Sequence, residues 1–156
     1  MIKLTIPGRK AIEVENLILD MNGTIAMDGM VSKEIVERVK KLAKSLKIYV
    51  LTAGTQGRID EIKEILQVEV HQINRRREAE QKAEFLRKVD PERTITIGNG
   101  TNDSLMLKQA ALGIGIIGEE GISREALLSA DVIVKDPKDA LDLLLKPKRL
   151  QATFRK

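Results

Sequence analysis

Apolar positions along the chain change period again and again. IKLTI and RKAIEV alternate around Pro7-Gly8, which predicts a hairpin over residues 1–15. Leu17 to Leu19 is a short apolar run that ends in a carboxylate, Asp20, and Asn16 to Asp20 reads as a buried strand. Ser32 can cap a helix through Leu46, with Ile35, Val36, Val39, Leu42 and Ala43 at helical spacing. Lys47 to Thr52 then reads as a strand, Arg58 to Leu66 as a helix, Val68 to Ile73 as a strand and Arg76 to Val89 as a helix. The alternation continues with a strand over Thr94 to Gly98, a helix over Asn102 to Ala111 and a strand over Leu112 to Ile117. A helix over Ser123 to Ser129, a strand over Val132 to Val134 and a helix over Asp139 to Leu145 follow. Strands that alternate with helices predict βαβ crossovers. The expected fold class is therefore α/β, a three-layer Rossmann-like arrangement with a mostly parallel sheet and helices on both faces. One domain is expected over 1–146, with a loose basic tail over 147–156.

Composition narrows the function classes. The chain has 156 residues, 42% hydrophobic and 32% charged, which is a soluble globular balance for one core. No apolar run is long enough to span a bilayer, and the N-terminus lacks the apolar stretch of a signal peptide. No membrane association and a cytoplasmic location are expected. The absence of Cys excludes disulfides and thiolate metal sites. The net charge of +4 favours an anionic ligand, but aromatics are only 2%, too few for stacking on single-stranded nucleic acid. Nucleic acid is not the expected partner.

In open α/β sheets, ligands bind outside the carboxyl ends of the strands. Three polar groups fall at such ends. Asp20-Met21-Asn22-Gly23-Thr24 offers a carboxylate able to act as a nucleophile, and a glycine that lets backbone N–H groups approach an oxyanion. Thr52-Ala53-Gly54-Thr55 offers a hydroxyl and N–H groups where a strand gives way to a helix, a phosphate cradle. Gly98-Asn99-Gly100-Thr101-Asn102-Asp103 frames amides and a carboxylate with glycines, and Asp103 with Asp20 can hold Mg²⁺ through oxygen ligands. Each also has a plainer reading, as an Asx turn, a helix cap at Thr55 and a cap at Asn102. Lys82 could neutralise a phosphate, but by its local pattern it reads as part of a solvated helix face. His71, the single His, reads as a strand residue; Arg75-Arg76-Arg77, just before the Lys82 helix, could meet an anionic substrate but reads more simply as a solvated turn.

Taken in order, these residues resemble the haloacid dehalogenase-like (HAD) superfamily. They look most like the phosphorylation domain of P-type cation-transporting ATPases. EQKAEFLRKV resembles that domain's lysine segment, IGNGTNDSLMLKQAALGIGI its hinge segment and SADVIV its next strand. The resemblance runs over roughly residues 16 to 146. It implies an Mg²⁺-dependent phosphohydrolase or phosphotransferase that works through an aspartyl phosphate at Asp20. The implied metal ligands are Asp20, the Asn22 carbonyl, Asn99 and Asp103. The implied phosphate-binding residues are Asn22, Gly23, Thr52, Ala53, Gly54, Lys82 and Asn102. Asp20, Asn22, Thr52 and Lys82 occupy the catalytic positions.

Two residues depart from the family pattern. Asn22 stands where HAD phosphatases carry an acid that protonates the leaving group, and the P-type ATPases also lack that acid (they carry Thr). Asn99 stands where an Asp normally ligates the metal. Slow turnover is expected, or alternatively a phosphate- or nucleotide-binding or regulatory protein on the same fold. No cap-sized insert follows Asp20 or Thr52. The open site suits a phosphorylated small molecule, a nucleotide or a macromolecule, or closure by a second copy in a homo-oligomer.

Overall fold

The structure, a computed structural model, describes residues 1–156. Strands β1 (Ile2–Leu4) and β2 (Ile12–Val14) form an antiparallel hairpin that stands apart as its own two-stranded sheet. The main sheet holds β3 (Asn16–Asp20), β4 (Lys47–Thr52), β5 (Glu69–Gln72), β6 (Thr94–Gly98), β7 (Leu112–Ile116) and β8 (Val132–Val134). These six strands are all parallel, in the order β5-β4-β3-β6-β7-β8. From β3 the chain moves outward to β4, and from β6 it moves outward the other way to β7. The order therefore reverses between β3 and β6, where a crevice opens at the strands' carboxyl ends.

Strand alternation divides the core. Leu17 and Leu19 of β3 enter the large cluster on one face, shared with Ile35 and Val39 of α1 (Lys33–Leu42), Ile59 and Ile62 of α2 (Gln56–Leu66), and Leu141 and Leu144 of α6 (Pro137–Leu145). Ile18 points to the other face, where it meets Leu86 of α3 (Glu78–Val89) and Met106 of α4 (Ser104–Gln109). Helix α5 (Arg124–Ser129) packs beside α4. An Arg38 to Asp142 fork, at 2.9 and 3.3 Å, ties α1 to α6.

Four strands, β3, β4, β6 and β8, have the bounds that the apolar runs predict. Helix ends differ. α1 stops at Leu42, because residues 43–46 turn back to start β4 opposite Asn16. α2 starts earlier, with Thr55 as its cap. α6 likewise begins at Pro137, capped by Asp136, with proline in the first turn, where its missing N–H costs nothing. The segment 101–111 is not one helix but a 3₁₀ turn, Thr101–Asp103, followed by α4. The tail expected to be loose forms α7 (Pro147–Thr153). Leu150 is buried in the main cluster, and the Phe154 ring lies 5.3 Å from the Arg9 guanidinium at the hairpin turn. One apolar side chain and one cation–π contact fix a segment whose composition looks unstructured.

No helix is long and apolar enough to cross a membrane. Close packing of α4 on β7 depends on Gly113, where a Cβ would collide with the backbone carbonyl of Leu107. Gly57 in α2 has open space around it. Gly113→Ala should cost about 1–3 kcal/mol, while Gly57→Ala should raise stability by up to ~1 kcal/mol. Urea unfolding of the two variants measures both, and equal effects would contradict this packing.

Candidate active site

Alternation places Asp20 on the same face as Ile18, under α3. Lys82 lies one helical turn before Leu86, which packs on Ile18, so Lys82 reaches the carboxyl end of β3. Its Nζ donates to Asp20 Oδ1 and to Asp103 Oδ1, both at 2.7 Å. Lys82 is only 1% exposed. The solvated-face reading of this residue is thus reversed, and the reason is tertiary: two carboxylates from β3 and the loop after β6 converge on it.

Asp103 is fully buried. Its Oδ2 accepts the backbone N–H groups of Asn99 at 3.1 Å and Gly100 at 3.0 Å. Both of its oxygens are therefore engaged, one on Lys82 and one on the loop. This geometry suits holding the cation and the 98–103 turn more than ligating a metal directly. Gly98 is needed beneath it, since a Cβ there would lie 2.5 Å from Asp103 Cγ. Asp103, not Asn102, closes this turn. The Asn102 side chain instead donates to Glu78 Oε2 at 2.6 Å.

Asp20 shares its other oxygen with Thr24. The Thr24 hydroxyl lies 3.2 Å from Asp20 Oδ2 and 3.4 Å from Asn99 Oδ1, and its one proton can serve either. Asn99 is oriented by its amide, which donates to Gly121 O at 3.1 Å. Burial, then the Asp103 charge, pushes the Asp20 carboxyl up to about 7, against the opposing pull of Lys82 and Thr24. Burial works against the Lys82 charge, but Asp20 and Asp103 outweigh it and hold the ammonium above its ordinary value.

A pocket of about 370 Å³ opens over these groups, at the switch point. Asp20, Asn22, Thr52, Ala53, Gly54, Lys82, Asn99 and Asn102 all line it. Gly23 backs Asn22 with φ +74, and a Cβ on it would collide with the Glu120 carboxylate and lie 2.7 Å from Asn99 Nδ2. The Thr52 hydroxyl accepts the Gly54 N–H at 3.1 Å, which leaves its own proton free. The backbone N–H groups of Asn22 and Ala53 donate to no protein atom. A larger cleft, about 680 Å³, lies at the opposite end of the sheet and holds none of these groups.

The Asn22 carbonyl accepts no hydrogen bond, and the Asp20 carboxylate and Asn99 Oδ1 line the same pocket. Such hard oxygen donors fit a divalent cation that keeps several waters. No cluster of three His, Cys, Asp or Glu side chains exists, so a cation here would draw on amide and backbone oxygens.

Two wall residues, Glu78 and Glu120, escaped the sequence reading, while Arg75, read as part of a solvated turn, lines the pocket as well. Glu78 was legible, being four residues before Lys82 on the same helix face. Glu120 sits in the loop after β7, which carries no periodic signal, although it too follows a strand's carboxyl end. His71 lies in β5 as expected, near Tyr49 and Phe85 and outside the pocket.

Lys82→Met would leave two buried carboxylates facing each other and should destabilise the fold by about 3–5 kcal/mol at pH 8. The loss should shrink at lower pH, as Asp20 takes a proton; urea unfolding at several pH values measures this. The raised Asp20 value has its own sign. Between pH 3.8 and about 7 the folded state keeps a proton that the unfolded state has released, so Asp20 makes stability fall as pH rises through this window. In EDTA, Asp20→Asn should remove that component, giving a stability curve that falls less steeply than the wild type's. Parallel curves for the two proteins would contradict the assignment.

No protein-family model matches the chain. A soluble P-type ATPase-like phosphatase of Methanocaldococcus jannaschii is 27% identical over 139 residues, 87% of this chain and 51% of that protein. An uncharacterized protein of the same archaeon is 55% identical over 73 residues, 46% of this chain and 78% of its own length. The chain thus spans about half of the phosphatase it resembles. Among solved structures, the cobalt-bound deoxy-D-mannose-octulosonate 8-phosphate phosphatase of Haemophilus influenzae superposes with a TM-score of 0.72 at 10% identity, over 92% of this chain and 94% of that one. The 3-deoxy-D-manno-octulosonate 8-phosphate phosphatase of Moraxella catarrhalis, with magnesium, phosphate and KDO bound, gives 0.64 at 15% identity, over 91% and 94%. These solved phosphatases share the fold over about nine-tenths of the chain, and the sequence is similar over most of its length to a soluble P-type ATPase-like phosphatase.

Proposed function

We propose that the chain is a phosphohydrolase that uses Asp20 as nucleophile, with slow turnover. One observation carries this reading. The Asp20 carboxylate is fixed by Lys82 and Thr24 at the floor of a pocket whose rim offers two uncommitted N–H groups, of Asn22 and Ala53, and the Thr52 hydroxyl. Those donors suit the non-bridging oxygens of a phosphoryl group. Asp20 would attack phosphorus while the bond to the leaving oxygen breaks. Lys82 would oppose the effect of burial on the Asp20 carboxyl and balance the incoming charge. Water would then attack the acyl phosphate, releasing phosphate and restoring Asp20. A divalent cation, Mg²⁺ in this reading, would be held by Asp20, the Asn22 carbonyl and Asn99, and would supply positive charge beside the phosphoryl oxygens.

Asn22 is the reason for slowness. Its side chain lies exposed at the rim, with no hydrogen-bond partner, and an amide neither gives nor takes a proton at this step. General acid–base help is worth about 10²–10⁴-fold, so the leaving group must take its proton from solvent. The same feature supports a second reading, in which the site captures a phosphorylated ligand without turning it over. The segments after β3 (21–32) and β4 (53–55) are too short for a cap, so the substrate itself, or a second copy of the chain, would cover the site.

Hydrolysis of para-nitrophenyl phosphate by fresh protein, with Mg²⁺ and with EDTA, tests this. Slow Mg²⁺-dependent turnover is expected, absent in Asp20→Asn and raised about 10²–10⁴-fold in Asn22→Asp. Asn22-Gly23 and Asn99-Gly100 are deamidation-prone, so mass spectrometry should accompany the assay. Turnover that survives in Asp20→Asn would refute the nucleophile. No turnover in either the wild type or Asn22→Asp would favour the binding protein.

A further inference from the structure

The pocket wall carries two cations, and they are in different states. Lys82 is buried and bound to two carboxylates. Arg75 is exposed and makes no ion pair and no side-chain hydrogen bond. It also lines a second cavity of about 350 Å³, which shares Ala53 and Gly54 with the Asp20 pocket. That second cavity is completed by Thr55, Gln72, Ile73 and Asn74, and it contains no acidic residue.

The loop that carries Arg75 is fixed from behind. Gln81 accepts the Asn74 N–H at 2.9 Å and donates to Asn74 O at 2.9 Å and Arg76 O at 2.6 Å. Arg77 ends the loop in the left-handed region, φ 54, which starts α3 two residues later than its sequence pattern predicts. Gln81 thus holds the backbone, and the guanidinium stands unpaired where the Asp20 pocket, the acid-free cavity and a third cleft of about 570 Å³, whose lining includes Glu80 and Glu84, come together. An unpaired guanidinium beside a pocket without carboxylates suits bidentate binding of a second anionic oxygen group.

The geometry points to a second anion subsite at Arg75, so that the substrate carries a phosphoryl group for Asp20 and a further phosphate or carboxylate for the Arg75 cavity. This rests on the reading of the Asp20 pocket as a phosphate site, and it adds the substrate class: small compounds with two anionic groups, bridged across Gly54. The single-anion alternative would leave Arg75 facing only water.

Calorimetric titration with inorganic phosphate, pyrophosphate and phosphoglycolate, in Mg²⁺, separates these cases. The wild type should bind pyrophosphate or phosphoglycolate about tenfold or more tighter than phosphate, a charge-assisted contact's worth. Preference for pyrophosphate would identify the second group as phosphate, and preference for phosphoglycolate as carboxylate. Arg75→Ala should abolish the preference, Arg75→Lys should restore part of it, and Arg76→Ala, the neighbouring charge, should keep it. Arg75 has no structural partner to lose, so the melting temperatures should match. The subsite is overturned if the wild type binds phosphate but shows no preference, or if Arg76→Ala lowers the preference as much as Arg75→Ala. A wild type that binds none of the three overturns the phosphate site itself, and the subsite with it.

Discussion

One buried cation organises the working end of this sheet. Lys82 sits between Asp20 and Asp103, 2.7 Å from each. Burying three charges is costly unless every remaining polar atom finds a partner. Here each does: Asp20 has Thr24, and Asp103 has the N–H groups of Asn99 and Gly100. The cation therefore clamps α3 to β3 and to the turn after β6 at once. Burial first, and then the excess of one carboxylate, lifts the Asp20 carboxyl, so the same arrangement sets both the shape of the site and the protonation of Asp20.

The fold separates stability from chemistry along the strand direction. At the amino ends of the strands, the hairpin and α7 seal the core with Leu4, Ile6, Val14 and Leu150. At the carboxyl ends nothing comparable covers the crevice, and its walls are polar, with only one apolar side chain, Ala53, among the lining residues. Gly23 and Gly98 let the Glu120 and Asp103 carboxylates approach the main chain where a methyl group would intrude. The site is thus a gap left in otherwise dense packing, held open by the turns that line it.

Much of this was legible in the sequence, because buried parallel strands are written as continuous apolar runs. Leu17 to Leu19 is such a run, and Thr94 to Gly98 is a short β-branched one; their ends locate Asp20 and the glycine-rich turn. Helix ends were less legible, since they depend on contacts the local pattern does not encode. The start of α3 is set by the Gln81 side chain reaching back to residues 74–77, and the end of α1 by where β4 must pair. Lys82 looked like any other lysine on a charged helix; its burial comes from partners 62 and 21 residues away in sequence. α7 was missed because one buried leucine decides its fate. Glu120 was missed because a loop has no period.

The two amides have different physical standing. Asn99 is bound into the structure: its Nδ2 donates to Gly121 O, and its backbone carbonyl accepts the Ser123 N–H. A carboxylate at that position would set an oxygen against the Gly121 carbonyl and add charge where Glu120 already stands, so the amide is matched to the loop after β7. Asn22 has no such obligation. Its side chain touches no partner, and an acid there would meet no structural objection. The fold accounts for the amide at 99; the amide at 22 would matter only for proton transfer in the proposed phosphoryl transfer to Asp20.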